Sequence, residues 1–427
     1  MLDRKFIIEN LDAVKANCRN RGVTAEVDQL SKLEALRREK LVLLEQLNRQ
    51  ANEVSKSIGQ AKDAAERDQR KEEGRRLRDA KDAAQAEHDQ IDAQVHQIQL
   101  TVPNMAHPDA PVGRDDQANL EISRGKTQVR TFDFKPLDHL QLGEKWDWID
   151  FEGGARTTGA GFYFLKGELV LLDLALQQWA VRELVKRGFL PTITPDLAQD
   201  SILLGIGFMP RGPETQVYSI DGTSLSLVGT AEITLGGLYA NQILNEEQLP
   251  LRVCGISHCY RTEAGAAGRA SRGLYRVHQF TKVEMFGFTT PDQSEAMHQE
   301  LKQIECELFD AMEIPYRVVD TATGDLGGPA YRKFDLEAWM PGRGEAGEWG
   351  EVTSTSNCTD YQSRRLNIRF KKAGEKGTQF VHTLNGTAIA LSRALIAVLE
   401  NHQNSDGTVN IPQCLVPIMG QDKIGKS

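Results

Sequence analysis

Residues 261–286 read RTEAGAAGRASRGLYRVHQFTKVEMF. The part of this stretch from Arg261 to Lys282 holds one acid and five cations, which are Arg261, Arg269, Arg272, Arg276 and Lys282. The whole chain carries a net charge of −9, so a glycine-rich segment of net charge +4 is a candidate anion site. The spacing of Tyr275, Val277, Val283 and Met285 predicts a strand after the loop. The alternative is a basic hairpin exposed to water.

The chain length of 427 residues indicates two or three domains. Hydrophobic residues make up 40% and charged residues 26%, which predicts a folded, soluble protein. The longest apolar runs are far shorter than the roughly 20 residues that span a bilayer. The start, Met1–Lys5, has no apolar segment of signal-peptide length behind it. We therefore expect a cytoplasmic protein with no membrane partner.

The six cysteines are scattered and include no CxxC pair. This pattern argues against a disulfide scaffold and against a four-thiolate zinc site. Cys254 with His258 and Cys259 could be imagined as metal ligands, but buried thiols are the commoner outcome. The sequence predicts no structural zinc.

Residues 1–102 contain no proline, three glycines and one aromatic residue, whereas the other 325 residues hold all fifteen prolines. Apolar residues within this part recur at heptad spacing, at Leu44, Leu47, Ala51, Val54 and Ile58 and again at Leu77, Ala84, Ile91 and Ile98. The segment between them, Gly59–Gly74, is polar and lacks a stripe. The pattern predicts two helices that fold back on each other as an antiparallel arm over about residues 30–100. A structural or dimerisation coiled coil and a lever that contacts a large partner remain alternatives.

The prolines at 103, 108 and 111 indicate a linker over residues 103–114. From residue 115 to 427, short β-branched runs alternate with helical stretches such as 167–187 and 293–312. The runs Val217–Ile220 and Leu225–Val228 flank Asp221-Gly222, a hairpin turn signal. These features favour a second domain of α+β class with an antiparallel sheet.

A further candidate site residue is Arg393. Asn385-Gly386-Thr387 precedes a stretch, Ala388–Glu400, whose apolar spacing predicts a helix that includes this arginine. A guanidinium near an apolar face needs an anionic partner or an exit to solvent. The sequence leaves both readings open.

These segments together resemble the seryl-tRNA synthetases, the class II ligases that join serine to its tRNA. The resemblance covers essentially the whole chain and rests on four motifs in the family's order, Gly229–Glu232, Arg261–Glu284, Glu351–Asp360 and Leu384–Gln403. It implies an α+β fold in which a class II synthetase antiparallel sheet is flanked by helices, with an N-terminal antiparallel two-helix coiled-coil arm. Phe162–Gly167 and Gly188–Pro195 resemble the region that builds the dimer interface in relatives, so a homodimer is expected.

The resemblance also implies site residues. Arg261 and Arg393 would be catalytic, Arg261 by bridging the serine carboxylate and the α-phosphate and Arg393 by holding the γ-phosphate. The residues expected to bind ATP are Arg261, Thr262, Glu263, Arg272, Val277, Glu351, Val352, Thr353, Ser354 and Arg393. Those expected to bind serine are Thr230, Ala231, Glu232, Glu284 and Thr387. Glu351 and Ser354 would hold Mg²⁺, since hard oxygen ligands suit that ion.

The implied partners are L-serine, ATP and tRNA(Ser), and selenocysteine tRNA, tRNA(Sec), is an open additional acceptor. The arm would grip the tRNA, with Arg37, Arg38, Arg75, Arg76 and Arg78 against its phosphates. The alternative function is a non-catalytic tRNA-binding paralogue. The chain departs from the family's usual pattern at Gly161, Ala270, Ala388 and Ser392, none of which is an expected site residue.

Overall fold

The computed structural model describes residues 1–208, 216–263 and 273–425. The chain divides into two compact units, Met1–Met105 and Ala106–Ser427. No helix within the described ranges combines the length and the apolar character that a bilayer crossing requires.

The first unit is helical. Its helices are α1 (Arg4–Glu9), α2 (Leu11–Asn20), α3 (Val27–Ile58) and α4 (Ala64–Thr101). A small core at the base of the long helices is formed by Leu2, Ile7, Val14, Cys18, Val27, Leu30, Val95 and Val102. Beyond this core α3 and α4 form the predicted two-helix arm, and their seams face each other.

Contacts along the arm show that α3 and α4 run antiparallel. Lys40 pairs with Glu87 near the base. Farther out, Val54 lies 3.8 Å from the position that a Cβ on Gly74 would take. Residues later in α3 therefore contact residues earlier in α4, which is the pattern of an antiparallel pair.

The predicted break between the two helices is too long. Only residues 59–63 separate them, because α4 already begins at Ala64. The Asp63 carboxylate caps this helix by accepting a hydrogen bond from the Glu66 amide at 2.8 Å. Glu66 also pairs with Arg70 one turn later. The first turns of α4 are thus stabilised by a cap and charged pairs, and no apolar stripe marks them in the sequence.

The second unit is built on a large sheet. Its helices are α5 (His139–Lys145), α6 (Phe151–Thr157), α7 (Glu168–Lys186), α8 (Asp200–Ile206), α9 (Ala231–Leu238), α10 (Ser294–Ala311), α11 (Tyr361–Leu366), α12 (Leu391–Asn401) and α13 (Val416–Met419). Its strands are β1 (Leu120–Arg124), β2 (Ile149–Asp150), β3 (Phe164–Leu165), β4 (Leu190–Ile193), β5 (Leu197–Gln199), β6 (Leu225–Leu227), β7 (Ile243–Asn245), β8 (Leu251–Tyr260), β9 (Gln279–Thr289), β10 (Tyr316–Asp320), β11 (Arg332–Met340), β12 (Glu348–Asn357), β13 (Arg369–Lys371), β14 (Gln379–Phe380), β15 (His382–Ala390), β16 (Val409–Asn410) and β17 (Lys423–Ile424).

Eight strands form the central sheet in the order β1-β10-β11-β12-β15-β9-β8-β4. The neighbouring strands pair antiparallel, except that β4 runs parallel to β8. Helices α7, α10 and α12 cover one face, where side chains such as Leu172, Leu301 and Leu395 pack against Val283 and Met285 of β9. Because strand residues alternate between faces, Lys282 and Glu284 point to the opposite face. The predicted α+β class with an antiparallel sheet is confirmed.

Two β-bulges interrupt the register at the centre of the sheet. In β12 the extra residue is Val352, so that Glu351 and Ser354 both lie opposite residues of the same face of β11. In β15 the extra residue is Ala388, and Thr387 and Ala390 lie opposite Glu284 and Lys282. Each bulge therefore brings two residues three positions apart onto the face that α7, α10 and α12 leave open.

Three local predictions are refined by the structure. The strand after the arginine-rich loop begins at Gln279, and Tyr275 belongs to a single 3-10 turn, Gly273–Tyr275. Helix α12 begins at Leu391 because residues up to Ala390 remain in β15. The predicted hairpin forms around Asp221-Gly222, with the Leu227 amide donating to the Tyr218 carbonyl at 2.8 Å.

Candidate active site

A cleft of about 220 Å³ opens at the middle strands of the central sheet, on the face opposite α7 and α10. Of the residues predicted to bind ATP or serine, those that line it are Arg261, Glu263, Val277, Glu351, Val352, Thr353, Ser354, Thr387 and Arg393. Arg272 lies outside the described residues, as does Ala270. The structure thus brings Arg261 together with side chains from β9, β12, β15 and α12, the farthest of which, Arg393, is 132 positions away in the chain.

Arg261 follows directly on β8 and is held in place from two sides. Its Nε and Nη2 each donate to the Gly229 carbonyl at 3.4 Å. Its guanidinium carbon lies 5.2 Å from the centre of the Phe280 ring, a cation–π contact. Its backbone amide donates to the His278 carbonyl. No carboxylate among the described residues pairs with this guanidinium, so its charge is available to an anionic ligand.

Arg393 is the residue of α12 that the core does not bury. Its Nη1 donates to the Glu351 carbonyl at 2.9 Å and lies 3.4 Å from Oε2 of the same residue. Its Nε donates to the Tyr275 carbonyl, and the guanidinium lies over the Tyr275 ring. The sequence left open whether this guanidinium has an anionic partner or reaches solvent. The structure shows both, because it pairs with Glu351 and also lines the cleft.

Glu351 and Ser354 share the face of the cleft because of the bulge at Val352. Burial opposes ionisation of the Glu351 carboxyl, but the charges of Arg393, Lys333 and Arg261 outweigh it and hold its pKa below its usual range. Glu351 is therefore an ionised oxygen donor at the cleft. Thr353 faces the other way, since its hydroxyl donates to Glu305 behind the sheet at 3.0 Å.

A second group of polar residues lies beside Arg261. Glu284 is 2% exposed, and its Oε2 accepts from the Thr387 hydroxyl at 3.0 Å. The same oxygen lies 2.6 Å from the Lys282 ammonium. Glu284 and Thr387, both predicted to bind serine, are thus joined directly.

Glu232 lies at the start of α9, where the Thr230 hydroxyl caps the helix by accepting from the Glu232 amide at 3.2 Å. Its carboxylate accepts from the side-chain amides of Gln362 and Asn385 at 2.7 Å and 2.9 Å. Burial, together with the negative charge of Glu284, raises the pKa of Glu232 to about 7. This carboxyl is poised to ionise when a cation binds beside it.

The remaining predicted residues have supporting positions. Ala231 is buried in the first turn of α9. The amide of Thr262 donates to the Gln216 carbonyl at 3.0 Å. Glu263 pairs with Arg276, and Val277 is buried at the edge of the cleft.

Several cleft residues were missed as individual site residues. Tyr275, Phe280, Lys282, Ala390 and Ser392 line the cleft. Gln362 and Asn385 hold Glu232 from outside it. The alternation of Phe280 and Lys282 with Glu284 along β9 was a usable signal, because it places the three on one face. Gln362 gave no such signal, since it comes from a separate helix.

The two parts of the chain match different families. The seryl-tRNA synthetase N-terminal domain matches residues 1–106, and the class II tRNA synthetase core domain (G, H, P, S and T) matches residues 217–402. A serine–tRNA ligase of Rhodopirellula baltica is 65% identical over 422 residues, which cover 99% of each chain. One from Treponema denticola is 54% identical over 425 residues and covers 100% of both.

Solved structures give the same match. A seryl-tRNA synthetase from Pyrococcus horikoshii, crystallised with ATP, superimposes with a TM-score of 0.93 at 38% identity and covers 100% of both chains. The fold similarity therefore includes the helical arm as well as the sheet that carries the cleft.

Proposed function

The chain belongs to the seryl-tRNA synthetase family, and we propose on this basis how its cleft joins serine to ATP and then to tRNA. It is an ATP-dependent serine–tRNA ligase. In the first step a serine carboxylate oxygen bonds to the α-phosphorus of ATP, the bond to the bridging oxygen of the β-phosphate breaks, and pyrophosphate leaves. In the second, a ribose hydroxyl of the 3′-terminal adenosine of tRNA bonds to the seryl carbonyl carbon, the bond from that carbon to the phosphate oxygen breaks, and AMP leaves.

The observation that carries this proposal is that Arg261 and Arg393 line one cleft, whose lining residues Lys282 and Thr387 contact the buried carboxylate of Glu284. Activation brings together two anions, a carboxylate and a triphosphate, which repel each other. A fixed guanidinium such as Arg261, which pairs with no carboxylate among the described residues, neutralises and orients both at once. Such a step needs no nucleophilic side chain. This arrangement favours the catalytic reading over a non-catalytic tRNA-binding paralogue.

We assign the ATP end of the cleft to Arg393, Glu263 and Val277. Arg393 projects from α12 beside Glu351, the one carboxylate of the described residues with which it pairs, and this leaves a guanidinium donor for a terminal phosphate. Glu263 and Val277 border the space beside the Arg261 guanidinium, where the adenine would lie. The expected role of Arg272 over the phosphates stays a prediction, since this residue lies outside the described part of the chain.

Mg²⁺ fits the residues present. Glu351 and Ser354 offer one ionised carboxylate and one hydroxyl on the same face, and Mg²⁺ prefers oxygen ligands and retains waters and phosphate oxygens in such sites. Among the described residues, no group of three His, Cys, Asp or Glu side chains could hold a metal by itself. Phosphate oxygens would therefore complete the coordination. Bound there, the ion would neutralise phosphate charge.

The serine end is assigned to Glu232, Glu284 and Thr387. Glu232 would pair with the substrate ammonium, while Glu284 and Thr387 would bond its hydroxyl. A site that bonds a hydroxyl rejects alanine strongly, because the buried polar groups are otherwise left unpaired. Threonine would be excluded by shape.

The arm would hold tRNA, and its charges suggest where. Arg75 and Arg76 are exposed and lie 3.9 Å and 3.7 Å from Glu72, so they are weakly paired. Arg37, by contrast, forms a two-point ion pair with Glu34. Phosphate contacts are therefore expected from the outer part of α4 rather than from the base of α3.

A homodimer accounts for an apolar surface on α7 and β4. Leu171, Leu174 and Val185 of α7 are each about half exposed, and Ile193 of the edge strand β4 is 85% exposed. These residues lie within or between the segments that resemble the dimer-forming motif. A cytoplasmic location stays a prediction.

Serine-dependent exchange of pyrophosphate into ATP, measured with a panel of amino acids, tests the function. Exchange with serine and not with alanine or threonine is expected. A folded sample without exchange would contradict it. Charging of tRNA(Ser), with tRNA(Sec) assayed beside it, then tests the second step.

A further inference from the structure

Three side chains form a closed triangle at the serine end of the cleft. The Lys282 ammonium lies 2.6 Å from Glu284 Oε2 and donates to the Thr387 hydroxyl at 3.4 Å. That hydroxyl donates in turn to Glu284 Oε2 at 3.0 Å. All three residues are at most 6% exposed. Lys282 also lines the cleft itself.

Burying a lysine side chain at this position is energetically unfavourable in itself. Removing an ammonium from water costs several kcal/mol unless it is paired, and an apolar side chain of the same length would avoid this cost. Packing therefore does not explain why a lysine occupies this position. The effects of Lys282 on Glu284 and Thr387 do.

The first effect concerns Glu284. This carboxylate is flanked by two other acids, Glu232 at the start of α9 and Glu305 on α10, and both interact with it electrostatically. Without a cation beside it, this buried carboxylate would face only like charges. The ammonium of Lys282 lies 2.6 Å from Glu284 Oε2 and supplies the opposite charge, so the Glu284 carboxylate acts there as a hydrogen-bond acceptor.

The second effect concerns Thr387. A lysine ammonium can only donate, so the Thr387 oxygen must accept from it. The hydroxyl proton then points to Glu284, as the 3.0 Å contact requires. Both contacts to Glu284 are made at Oε2, which leaves Oε1 able to accept from a ligand.

On the premise of the proposed function, we propose that Lys282 is a specificity-determining positioning residue. By fixing Glu284 and Thr387 in one hydrogen-bonding arrangement, it makes this end of the cleft an acceptor for the serine hydroxyl proton. Alanine has no such proton, and it leaves the arrangement unpaired. Removal of Lys282 therefore lowers the selectivity for serine over alanine more than it weakens the binding of ATP.

The test is Lys282→Met in pyrophosphate exchange, with kcat and KM measured separately for serine, alanine and ATP. We expect KM for serine to rise at least about tenfold and the serine-to-alanine ratio of kcat/KM to fall by a similar factor, with KM for ATP within about twofold of wild type. An unchanged ratio would overturn the proposal. Lys282→Gln, which keeps donors without the charge, supplies the measurement if the Met variant does not fold, and the same fall in the ratio is expected.

Lys333→Met is the matched control. Lys333 on β11 pairs with Asp335 two residues on, at 3.0 Å, just as Lys282 pairs with Glu284, and both members are largely buried. This variant also deletes a buried, ion-paired lysine from the same sheet. Its serine-to-alanine ratio should stay at the wild-type value, and an equal fall would show that the effect is merely structural.

A double-mutant cycle adds a second criterion. In a Glu284→Gln background, Lys282→Met should change the ratio by less than about twofold, because the group on which it acts is gone. Multiplicative effects would contradict the proposal. Wild-type protein without serine-dependent exchange would instead contradict the proposed function, so the two failures are distinguishable.

Discussion

The imidazole of His139 lies between Glu400 and the backbone of Leu274, and it joins them. Its Nδ1 is 2.8 Å from Glu400 Oε1, and the Leu274 amide donates to its Nε2 at 3.2 Å. Since Nε2 accepts, Nδ1 carries the proton and donates to Glu400. Glu400 lies on α12, two turns after Arg393. The contact of His139 with Glu400 therefore holds the turn that includes Tyr275 against α12, the helix that includes Arg393.

Replacing His139 with leucine should destabilise the second unit, Ala106–Ser427. Glu400 is 1% exposed, and it would lose a donor while the Leu274 amide lost its acceptor. Leaving buried polar groups unpaired costs about 1–3 kcal/mol for each group. We expect a clear fall in the melting temperature of the full chain, followed by circular dichroism.

His258→Leu is the control for this measurement. His258 forms a comparable contact with Asp196, 3.0 Å long, but both side chains are exposed. Its loss should change stability by less than about 0.5 kcal/mol. Equal effects of the two variants would show that burial of the His139 pair is not what matters.

The affinity for serine should depend on pH through Glu232. Burial and the charge of Glu284 raise the pKa of Glu232 to about 7, and the substrate ammonium needs its ionised form. As the pH falls through this value, the carboxyl is protonated, so KM for serine should rise by roughly tenfold per unit below it. Above this value KM should be constant for as long as the serine amino group stays protonated.

Steady-state pyrophosphate exchange across this range measures the effect. KM for ATP serves as the internal reference, since Glu232 does not line the ATP end of the cleft. Glu232→Gln should remove the pH dependence of KM for serine and raise this KM at every pH. A flat KM in the wild type would refute the assigned role of Glu232.

The sequence predicted the sheet and the arm better than it predicted the cleft. The heptads at Leu44–Ile58 report directly on a buried seam, so periodicity revealed both helices. The bulges at Val352 and Ala388 leave no comparable trace, because an extra residue in one strand is defined by the register of its neighbour. Only the register shows that Glu351 and Ser354 share a face.

Buried polar partners were harder still to predict. Gln362 and Asn385 both hold Glu232, yet they come from a separate helix and strand. Lys282 was counted only as part of a positive stretch, whereas its side chain is buried beside Glu284. Net charge in a segment describes the segment, and it does not distinguish a solvated cation from one inside a site.

Arg261→Ala should strongly reduce the rate of adenylate formation. The variant removes the guanidinium that lies over Phe280 and faces the cleft, and loss of one preorganised donor costs on the order of 10²–10³ in rate. Single-turnover formation of seryl-adenylate measures it. Arg252→Ala, on the preceding strand β8 and paired with Glu300, should retain near wild-type rates. Substantial activity in Arg261→Ala would contradict the assignment.

Shortening the arm should separate activation from tRNA charging. Joining residue 44 to residue 83 through a short Gly-Ser loop keeps the pair Lys40–Glu87 and the core at the arm's base, and it removes Arg75 and Arg76. Pyrophosphate exchange should stay within about twofold, while charging of tRNA(Ser) should fall on the order of a hundredfold. Activation lost with the arm would show that this division of labour is wrong.

The exposed apolar surface on α7 and β4 predicts the oligomeric state. Leu174 is 55% exposed, so Leu174→Glu should leave the protomer folded. Buried in an interface, the same carboxylate would be desolvated without a partner, which costs several kcal/mol. Sedimentation velocity should therefore give twice the 47.5 kDa chain mass for the wild type and the single-chain mass for the variant. Val112→Glu, at another exposed apolar residue outside this surface, should remain dimeric. A monomeric wild type, or dissociation of both variants alike, would show that α7 and β4 do not form the interface.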